Sequence, residues 1–106
     1  MKKKDDFLKQ IMEKKLIFTK HAEIRMEQRK ITREEIIDAL KDVKNIEIIE
    51  KERENSNTKI KLMYQLSKRK GLIIVMAINN NIRIITVYRT SKISKLLKKV
   101  NVWKRR

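Results

Sequence analysis

At Lys44 the spacing of apolar residues changes. Before it they recur every three or four positions. Ile36, Ile37, Leu40 and Val43 form one stripe, as on the buried side of a helix with about 3.6 residues per turn. After it they alternate. Ile60, Leu62, Tyr64 and Leu66 are interleaved with Lys59, Lys61, Met63 and Gln65, the pattern of a strand with one wet face. A chain that reads as helices first and strands afterwards folds as α+β rather than as repeating βαβ units. Its 106 residues suffice for one hydrophobic core. No repeat and no Pro-, Gly- or Ser-rich linker divides it, so residues 1–106 read as a single domain with a core of about residues 16–100.

Local signals place the elements. Asp5 to Lys14 predicts a short helix with Phe7, Leu8, Ile11 and Met12 on one side and Asp5 and Asp6 at its positive end. Leu16-Ile17-Phe18 is a brief strand or an extended lead-in. Thr19 then caps a helix running to about Arg29. Thr32-Arg33-Glu34-Glu35 is a capping box, in which Thr32 and Glu35 each bond the other's backbone N–H, and Ile31 and Ile36 form a hydrophobic staple across it. Ile46 and Ile48 mark a first strand with Ile49 on its other face, and Arg53 to Asn57 a polar loop. Lys59 to Leu66 is the second strand, and Lys68 to Gly71 a turn. Leu72 to Ile78 is apolar on both faces and therefore central in the sheet. Asn79-Asn80-Asn81 is a tight connection before the last strand, Ile82 to Arg89. Ser91 caps a closing helix with Ile93, Leu96, Leu97 and Val100 inward. Such short connections predict two N-terminal helices packed on a four-stranded antiparallel meander, plus a C-terminal helix.

Charge constrains the partner. Lys and Arg outnumber Asp and Glu by 29 to 13, a formal net charge of +16. That excess opposes compaction unless a negative partner neutralises it. Nucleic acid is the first candidate, an acidic protein the second and an anionic membrane the third. No apolar run reaches the length of a bilayer span, and no apolar segment of a signal peptide follows Met1-Lys2-Lys3-Lys4. The absence of cysteine removes disulfides and thiolate chemistry, which fits a cytoplasmic protein. One histidine and scattered carboxylates predict no metal site, and a single glycine leaves no phosphate-cradling loop, so no cofactor is expected. There is no Ser or Cys nucleophile signature.

The segment Thr19 to Arg29 is hard to explain as scaffold. At about 100° per residue, His21, Arg25 and Arg29 fall on one strip, bordered by Ala22 and Met26 on one side and Ile24 on the other, with Gln28 beside His21. Glu23, Glu27 and Lys30 lie opposite. The arc expected to turn toward the sheet is centred near Arg25. A buried guanidinium without an acceptor costs several kcal/mol. Arg25 therefore either pairs with Glu35, Glu47, Glu50 or strand-end carbonyls, or lines a phosphate-binding groove with His21 and Arg29.

Other candidates carry two readings each. Tyr88 is a core aromatic with its hydroxyl at the rim, or a phenol that donates a proton or binds phosphate. Arg89 is a solvated strand end or a functional cation. Lys59, Lys61, Lys68, Arg69 and Lys70 form a basic hairpin that either solvates a sheet edge or tracks a phosphate backbone. Trp103, among Lys104, Arg105 and Arg106, is a staple for the tail or a stacking platform for a base.

His21-Ala22-x-x-Arg25-Met26-x-x-Arg29-x-Ile31-Thr32-x-Glu34-Glu35-Ile36, followed at a distance by Thr86-Val87-Tyr88, resembles a prokaryotic family of small uncharacterised domains grouped with the RelE-like toxins of toxin–antitoxin systems, the BrnT type included. The likeness spans about Phe18 to Arg89. It implies a RelE-like fold of two helices on an antiparallel sheet and an RNA-cleaving toxin, held by a cognate antitoxin. The partners so implied are RNA, including ribosome-bound mRNA, and that antitoxin, with no membrane. The family's His and Arg positions map onto His21, Arg25 and Arg29.

Metal-free RNA cleavage needs a base for the ribose 2′-OH, an acid for the leaving oxygen and cations for the phosphorane. His21 suits the base or acid, Arg25 and Arg29 the clamp, and Tyr88 or Arg89 the second role. The competing expectation is a non-catalytic RNA- or ribosome-binding module. A helix-turn-helix DNA reader ranks last, because the helix after Thr32 presents Glu34, Glu35 and Asp38.

Overall fold

The first helix, α1 (Lys3–Ile11), is anchored through Leu8 and Ile11, which are buried. A three-residue strand, β1 (Leu16–Phe18), follows and leads to a cap. Thr19 Oγ1 accepts from the Ala22 amide at 3.1 Å and starts α2 (Lys20–Arg29). That helix stops at Lys30, whose φ of 56° and ψ of 47° are left-handed. The Lys30 amide turns back to Met26 and Glu27, and the Ile31 amide donates to the Met26 carbonyl at 2.9 Å. Thr32 Oγ1 accepts from the Glu35 amide at 3.1 Å and opens α3 (Arg33–Lys41), with Ile31 and Ile36 both buried as the staple requires. The computed structural model describes the backbone of residues 3–104 and the side chains of residues 6–53 and 55–98. Among the described residues no helix is long and apolar enough to cross a membrane.

After a single 3-10 turn at Val43–Asn45 come β2 (Ile46–Glu54), β3 (Asn57–Gln65), β4 (Gly71–Ile78) and β5 (Ile82–Thr90), then α4 (Ile93–Lys104). The sheet order is β1-β5-β4-β3-β2. All pairs are antiparallel except β1 with β5, which is parallel with Ile17 opposite Arg83. The inner face carries Ile60, Leu62, Leu72, Ile74, Ile84 and Val87 against α1, α2 and α3. The outer face carries Ile49, Met63 and Ile73 against Ile93, Leu96 and Leu97 of α4. The molecule is therefore three layers deep, and among the described residues no polar or charged side chain is fully buried.

The expected four-stranded antiparallel meander with two helices before it is thus corrected. The sheet has five strands and is mixed, and three helices precede α4. Leu16-Ile17-Phe18 is too short to declare itself by period, and its partner is more than sixty residues on, beyond the reach of any local pattern. The expected loop from Arg53 to Asn57 shrinks to Asn55 and Ser56, because Asn55 takes a left-handed φ of 58° and lets β2 and β3 meet in a tight hairpin.

Gly71 opens β4 rather than closing a turn, and its φ is not positive. Its role is close approach. A Cβ there would stand 2.7 Å from Ile93 Cδ1 and 3.1 Å from Met63 Cγ, where α4 descends on the sheet. A second tie joins β3 to the end of α3. The Asp42 carboxylate accepts from Asn45 Nδ2 at 2.8 Å and from the Tyr64 hydroxyl at 2.7 Å. These two bonds, Asn45 first, hold the Asp42 carboxyl below its ordinary range, while the same Asp42 pushes the Tyr64 phenol up.

Gly71→Ala should cost about 1–3 kcal/mol by overpacking, read from urea unfolding. Ile93→Val removes the obstructing Cδ1, so the double variant should lose less than the sum of the singles; strict additivity would show that this contact is not the cause. The Asp42 contribution is complete above the ordinary carboxylate range and disappears as pH falls through the lowered value. That of Tyr64 is complete below the ordinary phenol range and disappears as pH rises through the raised one. Tyr64→Phe should therefore flatten the drop in urea midpoint as pH is lowered through and below the ordinary carboxylate range. An unchanged drop would show that the bond carries no stability.

Candidate nucleic-acid interface

A β-strand that outruns its neighbour leaves carbonyls needing donors. β1 ends at Phe18, opposite Ile84, whereas β5 continues to Thr90. α2 packs along β5 and closes the gap with side chains. The Ile84 carbonyl accepts from the Thr19 amide at 3.2 Å and from its hydroxyl at 2.8 Å. The Val87 carbonyl accepts from Arg29 Nη1 at 2.7 Å. Arg89 reaches the other way. Its Nη1 donates to the Arg29 carbonyl at 2.9 Å, and its Nη2 to the Lys30 carbonyl at 3.5 Å and to both Glu35 carboxylate oxygens at 3.1 and 2.9 Å. The two arginines are reciprocal struts. Glu35 completes this charge-assisted bond to Arg89 in place of the return bond that a capping box predicts.

The buried face of α2 is centred on Ala22 and Met26, at 0% and 5% exposure. It is not centred on Arg25. Ile24, counted as an apolar border, is 46% exposed, so the apolar arc is narrower and turned by about one position. Arg25 is half-buried at the margin of that face, and His21 is exposed beyond it. Arg25 Nη1 bonds Gln28 Oε1 of the same helix at 3.3 Å. Among the described residues Arg25 forms no ion pair with a carboxylate, so none of the proposed partners Glu35, Glu47 and Glu50 is assigned to it.

The outer face of the sheet carries further cations. Cross-strand partners share a face, and one row runs Glu52, Lys59, Ala77, Arg83 and Ile17. The next runs Glu50, Lys61, Val75 and Thr86. α4 covers the rows around Met63 and Ile73, whereas Lys59 and Arg83 stay exposed. Glu52, Lys59, Ala77 and Arg83 line a depression of about 200 Å³ with Asn57 and Asn79, whose floor is low because Ala77 is small. On the β2 side each lysine opposes a glutamate, Glu52 to Lys59 and Glu50 to Lys61. Arg83 opposes Ala77 and Ile17. Within these rows the cation without an opposed glutamate is therefore Arg83, on β5.

A shift of register between Val75 and Met76 leaves Ile85 as an extra residue in β5. Ile82 and Ile84 face the inner core, and after the bulge Val87 does so too. Tyr88 consequently lies on the outer face with Ile73, Leu96 and Leu97, half-buried. Arg29 reaches round the strand edge, placing its guanidinium 5.7 Å from the Tyr88 ring centre.

The proposed residues thus separate. His21 and Arg25 stand on the flank of α2, and Lys59, Lys61 and Arg83 on the open face of the sheet. Arg29 and Arg89 join helix to strand, and Tyr88 packs under α4. Lys59 and Lys61 lie on an interior strand rather than at a sheet edge. Lys68 and Arg69 sit in the β3–β4 turn, roughly 25 Å along the strand direction from Lys59, so they form a separate basic patch. The Trp103 side chain is outside the described residues. Arg83 was missed by sequence reasoning. Its signal is a lone cation between Ile82 and Ile84, which only strand register converts into a face.

No curated protein and no solved structure gives a match. A family profile covers residues 18–89, from the last residue of β1 to Arg89, and so includes α2, its two struts and the open sheet face. With that much of the chain matched, the protein belongs to the family described as Domain of unknown function (DUF4258).

Proposed function

We propose that this domain binds RNA through the Arg25 flank of α2 and the uncovered half of the sheet. The observation that carries this reading is Arg25, a half-buried guanidinium whose hydrogen bond goes to an uncharged neighbour on its own helix. A phosphate supplies the charge-assisted acceptor that the fold withholds. Lys59, Lys61 and Arg83 add cations for further phosphates on the uncovered half of the sheet. Duplex DNA suits the surface less, because exposed Glu34 and Asp38 occupy the helix that would enter a groove.

One observation favours a catalytic version. His21, the chain's single histidine, is exposed one helical turn before Arg25. A ribose 2′-OH delivered to a phosphate on Arg25 would lie within reach of that imidazole, whose ring nitrogen is suited to take its proton. In this version the domain is a metal-independent endoribonuclease of the toxin–antitoxin kind, acting on mRNA and restrained by a cognate antitoxin.

Binding is tested by anisotropy with a labelled single-stranded RNA across a salt series. Arg25→Ala and Arg83→Ala should each flatten the slope of log K against log salt by about 0.7, one phosphate contact on a single strand, with the melting temperature nearly unchanged. Arg89→Ala should do the converse, costing about 1 kcal/mol of stability while leaving the slope alone. Equal slopes in all four proteins would sink the interface. Cleavage is tested with the same RNA in EDTA. His21→Ala should slow it by about 10²–10⁴ with affinity retained, and undiminished cleavage would remove His21 from the chemistry.

A further inference from the structure

We infer that a lysine-rimmed groove on the helical side of the molecule docks an acidic amphipathic helix of a partner protein. The groove lies between α1, α3 and the edge formed by β1 and the start of β5, and has a volume of about 320 Å³. It belongs to the layer opposite the open sheet face, so this inference does not rest on the RNA reading.

Its floor is apolar and incompletely covered. Leu16, Ile37 and Val43 are half-buried there, although Leu16 and Val43 pack against the main core. Its rim is cationic, with Lys9, Lys14 and Lys41 exposed around it. None of the described residues lining it is acidic. Glu13 and Asp38, close in sequence, do not line it, and Asp42 beside Lys41 is occupied by Asn45 and Tyr64.

The occupant follows from that pairing of features. An aliphatic floor gives a sugar–phosphate backbone nothing to bind, which disfavours nucleic acid. A second copy would bring lysines against lysines in a chain of net charge +16, which disfavours self-association. A helix with apolar anchors at i, i+3, i+4 and i+7 and carboxylates flanking them meets both requirements at once. The anchors cover the floor and the flanking acids reach the rim, where charge also speeds encounter.

The probe is a fluorescein-labelled Leu/Glu peptide of about 16 residues, ~24 Å long when helical, with leucines at that spacing. A scrambled peptide of the same composition is the control. The ordered peptide should bind at least about tenfold more tightly than the scramble, and Lys14→Glu/Lys41→Glu should weaken it by at least about tenfold. Ile37→Gln, at a half-buried position, should remove the advantage over the scramble, with the melting temperature confirming that the variant is folded. Equal binding of the two peptides, or binding indifferent to the lysine reversals, would overturn the proposal. So would tight binding of oleate without the peptide, which would assign the groove to a lipid anion. RNA affinity measured beside these is expected to be unchanged by Ile37→Gln, so the two sites fail independently.

Discussion

Half of β5 has no strand on its outer side, and the way its carbonyls are satisfied organises this domain. β1 supplies hydrogen bonds only as far as Ile84. Beyond that point the donors come from the side chain of Arg29, with Thr19 spanning the junction. Because these donors sit at both ends of α2, the helix is held along the strand and cannot rotate or slide without orphaning a carbonyl. Arg89 makes the seam reciprocal by binding the carbonyls that α2 leaves open at its C-terminus.

That seam divides labour within one short helix. Ala22 and Met26 face the core, and Ala22 is small enough for close approach. Arg29 is committed to β5. Arg25 and His21, on the next positions round the same cylinder, are left with no such commitment among the described residues. A motif that looks like a uniform basic strip is therefore a strut followed by two groups available to a ligand. The same logic moves Tyr88 and Arg89, neighbours in sequence, to opposite faces of the sheet with opposite neighbours.

A chain of +16 folds with none of its described cations fully buried, and Arg29 and Arg89 bond across the layers from exposed positions. The interior on both sides of the sheet is aliphatic, and the charge is distributed over surfaces of different character. On the outer face, lysines opposite glutamates give way to Arg83. On the helical side, lysines surround exposed aliphatic carbon. A flat cationic track suits a phosphate chain, whereas a rimmed apolar groove suits an amphipathic one. The two surfaces lie on opposite layers and would place different chemical demands on a ligand.

The α+β class, the boundaries of α2, the start of α3 and the central position of β4 were legible in the residues, whereas Val43, read as part of the helical stripe, falls in the 3-10 turn after α3. Caps at Thr19 and Thr32, the Ile31–Ile36 staple and the double-sided apolar run of Leu72 to Ile78 act over a few positions, and local chemistry decides them. The candidate site was half legible. His21 and Arg25 stood out as polar groups bordering an apolar arc, but the arc was drawn about one position off because Ile24 turned out to be exposed. What the tertiary structure decided were pairings across long sequence distances. These are the parallel union of β1 with β5, the bulge at Ile85 that sends Tyr88 outward, the roles of Arg29 and Arg89, and the face shared by Lys59 and Arg83. An arginine's environment is set by which carbonyls and carboxylates the fold brings within about 3 Å of it, and no periodicity along the chain encodes that.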